Sequence, residues 1–182
     1  MKRQQLSRLV LVAGVTLLMS CGNPADLDNF DVVVEETTSV PGATPLELLL
    51  DSFPVVDGLA EFDISESSEF RNGKYSPDDV ESVRLRRLTM SVVSPDGQDL
   101  SFFGDVVFLL STEGLETIEV ATASEFPEGM ASVEFETTGS NIKDYVLAKR
   151  GTFTVQVSDT KRPAQETQLK IRAVFDVDLG IL

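Results

Sequence analysis

The feature that most restricts this chain is a two-residue alternation of apolar and polar side chains that recurs along most of its length. Leu169, Ile171, Ala173, Phe175, Val177 and Leu179 alternate with Lys170, Arg172, Val174, Asp176 and Asp178. Successive side chains on a strand point to opposite faces, so this pattern sets one face in a core and the other in water. Phe153, Val155 and Val157 repeat it, as do Val133 with Phe135 and the run Leu59–Ile64. In Val83–Ser94 the phase switches: Val83 and Leu85 share one phase, Leu88, Met90 and Val92 the other. A β-bulge at Arg86-Arg87 would re-aim the strand there without ending it. Val106–Leu110 is apolar on both phases, which predicts a strand covered on two faces. Ile118–Ala121 reads as a short strand, Asp31–Glu35 as a first strand, and Leu46–Leu50 as a weaker one.

Turn residues separate these runs. Ser94-Pro95-Asp96-Gly97 suits a tight reversal, and Gly104, Gly114, Gly129 and Gly139 mark others. Ser76-Pro77 can start one short helical turn and Asn141 another. No segment has the period of a long amphipathic helix. The expected fold is all-β: an antiparallel β-sandwich, Ig-like or jelly-roll-like, of roughly seven to nine strands with at most one or two short helical turns.

The 182 residues suit one domain with a leader. Lys2, Arg3 and Arg8 precede Leu9–Met19, eleven residues without a charge. That length fits a secretory h-region and falls short of the ~20 residues that span a bilayer. Next comes Leu18-Met19-Ser20-Cys21-Gly22, which holds the single cysteine. This stretch resembles the lipobox of bacterial lipoproteins. The resemblance implies that Leu18, Ser20 and Gly22 are read by signal peptidase II and that Cys21 is acylated. Met19 is bulkier than the usual small residue at its position. Cys21 has no partner for a disulfide within the chain.

The expected organisation is therefore a signal peptide over 1–20, a lipidated N-terminus and acidic tether over 21–45, and a β-sandwich over 46–182. Removing residues 1–20 takes away three basic residues and no acid, moving the formal charge from −15 to −18. Gly22 and Asn23 lack the aspartate that resembles an inner-membrane retention signal, which favours the outer membrane in a Gram-negative host.

Composition removes several chemistries. The chain has no histidine, so Ser-His-Asp and Cys-His catalysis and histidine zinc sites are excluded. Its acidity opposes phosphate backbones and anionic head groups, so no nucleic-acid partner is expected and a basic membrane patch is ruled out. The partners expected are the membrane, through acyl chains on Cys21, and an envelope protein. No metal, cofactor or catalytic residue is assigned. The spacing of Asp26, Asp28 and Asp31 lacks the glycine and distal glutamate of an EF-hand, and Asp96–Asp99 reads as a plain hairpin turn.

Three carboxylate pairs share a strand face by alternation: Glu61 with Asp63, Glu134 with Glu136, and Asp176 with Asp178. An outward face in so acidic a chain makes such pairs by default. Phe102-Phe103 reads as a loop plugging one end of the sandwich, and Arg84, Arg86 and Arg87 as cross-strand partners of nearby acids. The leading expectation is a non-enzymatic binding or structural module, with a carrier of a small apolar ligand and a carboxylate-based hydrolase as the alternatives.

Overall fold

The computed structural model describes residues 29–42, 64–147, 151–158 and 161–180. Eight strands form two four-stranded antiparallel sheets. They are β1 (Asn29–Val40), β2 (Val80–Ser94), β3 (Val106–Ser111), β4 (Ile118–Ala123), β5 (Ser132–Glu134), β6 (Glu136–Thr137), β7 (Thr152–Val157) and β8 (Thr167–Leu179). The first sheet has the order β1-β8-β2-β5, the second β6-β4-β3-β7. Two short helices, α1 (Ser68–Gly73) and α2 (Lys143–Val146), complete the described elements with two 3₁₀ turns. The fold is the all-β sandwich that the alternation predicts.

β8 sits at the centre because its inward residues are the most uniformly apolar. Leu169, Ile171, Ala173, Phe175 and Val177 are all buried. On the opposite phase Val174 is buried as well, between its register neighbours Val33 and Arg87. The β2–β8 register shifts between Leu85/Phe175 and Arg87/Val174, leaving Arg86 as the extra residue. Because of that bulge, Val83 and Leu85 before it and Leu88 and Met90 after it all reach the core.

Three expectations are corrected. Residues 29–40, placed within a tether, pair with β8 along their whole length, from Asn29↔Asp178 to Val40↔Thr167, and so belong to the sandwich. Val32 and Val40 are buried, which supplies the apolar contact that a tether lacks. Second, β3 is covered on one face only. Val106, Phe108 and Leu110 are fully buried, whereas Val107 and Leu109 are partly exposed. Third, the Val133/Phe135 alternation does not run along one strand. β5 belongs to the first sheet and β6 to the second, and Phe135 is the residue between them. The runs Leu46–Leu50 and Leu59–Asp63 lie outside the described residues; Ile64 is buried in a 3₁₀ turn.

The ends of the sandwich are closed differently. At the end holding the β2–β3 connection, Phe102, Phe103 and Phe126 are buried, with the Phe103 ring against both others, as the plugging-loop expectation requires. Asp99 ties the loops there, accepting hydrogen bonds from the Gly129 amide at 2.7 Å and the Ser101 hydroxyl at 2.6 Å. Those bonds, the Gly129 amide first, hold its carboxyl below the usual range. The Asp96–Asp99 stretch is thus a turn fastened by its own acid. At the other end α1 packs on β1, with Tyr75 stacked on Phe30 at 5.3 Å. Ser67 caps α1 by accepting from the Phe70 amide at 3.2 Å.

Candidate functional site

The outer face of the first sheet carries charged side chains in rows. Cross-strand position decides which of them meet. Arg86 reaches from β2 across β8 to Asp31 on β1 at 2.8 Å. Arg87 lies 3.4 Å from Glu134 on β5. Lys170 and Arg172 both hold Glu35, at 2.7 and 3.1 Å, and Lys170 chiefly keeps that carboxyl low. Of the arginine cluster, Arg87 pairs with an acid on the neighbouring strand as expected, Arg86 reaches one strand further to its acid, and Arg84 donates instead to the Gly139 carbonyl. Such exposed pairs contribute little singly; their role is to let acids share a sheet face.

Near the Asn29 end this face runs into an open cleft of about 510 Å³, lined by Asn29, Glu81, Ser82, Arg84, Asn141 and Asp178 among others. The Ser82 hydroxyl donates to Asp178 at 2.6 Å. Asn141 Oδ1 accepts from the Val83 and Lys143 amides, both at 3.1 Å, and Arg84 donates to the Gly139 carbonyl at 2.8 Å. Lys143 Nζ donates to the Val80 carbonyl. The Ser82–Asp178 bond and these side-chain bonds to backbone make the cleft a latch joining β2, β8 and the α2 loop. The Ser82–Asp178 bond ties β2 to β8 across their register.

Asp176 is the perturbed carboxylate beside this cleft. Its register neighbours are Asp31 on β1 and Arg84 on β2, and Asp178 follows on the same face. Burial first, then Asp178 and Asp31, raise its carboxyl above the ordinary range, against the lowering pull of Arg86 and Arg84. A raised folded-state pKa means that the folded chain holds the proton more tightly than the unfolded chain. That contribution is complete below the unfolded pKa, near 3.9, and is lost as pH rises through the folded one. Ionised Asp176 is thus a cost at neutral pH. Asp176→Asn is expected to raise the melting temperature at about pH 7, with the gain shrinking toward about pH 3.5. Melts of both proteins at the two pH values check this, and an equal gain at both would remove the charge explanation.

The sequence-predicted site residues distribute as follows. Leu18, Ser20, Cys21 and Gly22 lie outside the described residues, as do Asp26, Asp28, Glu61 and Asp63. Asp176 and Asp178 share a face. Glu134 and Glu136 do not form the predicted pair, because the chain changes sheets at Phe135. Among the described residues no group of three or more acids is placed to hold a metal ion. That Ser82, Asn141 and Asp178 line one cleft is a register effect that alternation alone does not encode. No protein-family model and no curated protein matches the chain.

Proposed function

We propose that the chain is a bacterial envelope lipoprotein whose β-sandwich serves as a non-enzymatic binding or structural module. The observation that carries this reading is Leu18-Met19-Ser20-Cys21-Gly22 placed behind a charged and then apolar leader. β1 begins eight residues after Cys21. Eight extended residues reach at most ~28 Å, so an acylated Cys21 would keep the Asn29 end of the sandwich near the bilayer. Each buried methylene of an acyl chain contributes about 0.8 kcal/mol, so two or three chains anchor firmly where a basic patch is missing. The favoured address in a Gram-negative host is the outer membrane.

Two observations favour a docking module over the alternatives. The inter-sheet space is occupied by rings in contact, Phe108 with Phe135 at 5.0 Å and Phe153 with Phe175 at 6.0 Å, which disfavours an apolar carrier. Asp176 and Asp178, the expected pair that shares a face among the described residues, are hemmed by Arg84, Arg86 and Ser82, which disfavours a carboxylate hydrolase.

The test is the intact mass of the N-terminal peptide from membrane fractions, alongside Cys21→Ala. A diacyl or triacyl mass on Cys21, with the variant lost from the membrane fraction by tenfold or more, is the expected outcome. An unmodified Cys21 would overturn it.

A further inference from the structure

Cations on the outer face of the first sheet pair with acids, with one exception. Arg86, Arg87, Lys170 and Arg172 each have a carboxylate within 3.4 Å. Arg84 has none among the described residues; one of its N–H groups donates to the Gly139 carbonyl and the others keep their capacity. Yet two carboxylates line the cleft with it. Asp178 accepts the Ser82 hydroxyl on Oδ2, which leaves Oδ1 open, and Glu81 has no partner among the described residues. Strand register keeps these charges apart. Arg84 stands opposite Asp176, so Asp178 is its diagonal neighbour on the face, about 7–8 Å away along the sheet. Asn141 bridges to Arg84 and adds a neutral donor. Its Oδ1 accepts the Val83 and Lys143 amides, which leaves Nδ2 to donate elsewhere. Donors thus gather around Arg84 and acceptors around Asp178.

We propose that this cleft binds the phosphoethanolamine group of a bilayer lipid, with its phosphate on Arg84 and Asn141 and its ammonium on Asp178 and Glu81. Opposite charges held apart in one open cleft are matched by a ligand that carries both. A lone anion would face Asp178 and Glu81, and a lone cation would face Arg84. A guanidinium suits phosphate because its N–H donors meet two oxygens at once. A primary ammonium brings N–H donors to the carboxylates. A choline ammonium has none and is held over aromatic rings, and no described lining residue is aromatic. Position selects a lipid over a free ester. Asn29 lines the cleft and begins β1 eight residues after Cys21. The lipid as source rests on the lipoprotein reading; the headgroup chemistry stands on the cleft alone.

The experiment has two arms. In the first, the full chain in a nonionic detergent is titrated with soluble glycerophosphoethanolamine and followed by NMR. The Ser82, Arg84 and Asn141 amides should shift with a Kd of about 1 mM, the scale for a ligand of about 13 non-hydrogen atoms. Arg84→Gln and Asp178→Asn should each weaken binding by about tenfold or more. Lys170→Gln removes the same charge outside the cleft and should bind within about twofold of the unsubstituted chain. Glycerophosphocholine should bind the unsubstituted chain at least about tenfold more weakly, a comparison that needs no variant to fold. In the second arm the chain sits in vesicles of phosphatidylcholine, alone or mixed with phosphatidylethanolamine. Exchange of the Val83 and Lys143 amides, which donate to Asn141, should slow only in the mixed vesicles. No shift with glycerophosphoethanolamine, or equal binding of the two esters, would overturn the site. Binding in solution without slowing in the mixed vesicles would overturn the lipid as source and leave a free ester as the ligand. An unacylated Cys21 would overturn the lipoprotein reading and the lipid source with it, while the first arm still decides the site.

Discussion

Replacing Phe175 with alanine should remove about 3–5 kcal/mol of folding stability, the range for a large ring lost from a core that cannot close around the gap. Phe175 is fully buried on β8, which is flanked on both sides in its sheet by β1 and β2. Its register neighbours are Val32 on β1 and Leu85 on β2, and both are buried. From the opposite sheet Phe153 meets it edge-on at 6.0 Å. Relaxation would have to move two paired strands or a facing sheet, so the cavity stays open. For a domain of this size the loss corresponds to roughly 6–20 °C in melting temperature. Phe175→Leu keeps most of the volume and should lose clearly less. Equilibrium denaturation of the two variants decides the matter: an alanine cost near 1 kcal/mol would mean that the two sheets do not pack through this ring.

Much of this architecture was legible in the residues. A strand with one buried face must alternate, and β7 and β8 do so almost without exception. The bulge at Arg86 announced itself as a change of phase, since no unbroken strand can keep Val83, Leu85, Leu88 and Met90 all inward. The adjacent rings of Phe102 and Phe103 marked the plugged end, because a loop can turn both inward where a strand cannot. Sheet membership was not legible. Alternation says which side of a strand is apolar and nothing about which strand lies beside it. The candidate cleft therefore had no linear signal: Ser82, Asn141 and Asp178 come to line it through the β2–β8 register and the Arg84↔Asn141 bridge, over separations that carry no period. β1 was only half visible. Asp31–Glu35 is β-branched and apolar enough to read as a strand, but acids and prolines around it also suit a tether. Pairing with β8, which brings Lys170 and Arg172 to Glu35, decided in favour of the sheet. The apolar second phase of β3 misled for a related reason. Val107 and Leu109 are partly exposed beside Thr154 and Gln156, and an outward valine or leucine looks the same in sequence as one beneath a covering layer.

The place where alternation failed most sharply yields the second large effect. Ser132-Val133-Glu134-Phe135-Glu136 alternates without a break, yet Glu134 pairs in one sheet and Glu136 in the other. Phe135 makes that crossing. Its amide donates to the Leu88 carbonyl at 2.9 Å, which holds the backbone to the first sheet, while its ring lies edge-on to Phe108 of the second at 5.0 Å. A glutamate on either side can face water only because the phenylalanine between them points inward. Phe135→Ala should therefore cost about 3–5 kcal/mol through the lost ring. It should also loosen the β5 pairing, which spans only Thr89↔Glu134 to Ser91↔Ser132. Hydrogen exchange separates the two effects. Amides of β5 and β6 should exchange faster in Phe135→Ala by a larger factor than those of β3 and β8, whereas Phe175→Ala should speed exchange across both sheets together. Uniform acceleration in Phe135→Ala would mean that this ring is ordinary core filling and that the turns on either side, not Phe135, carry the chain from one sheet to the other.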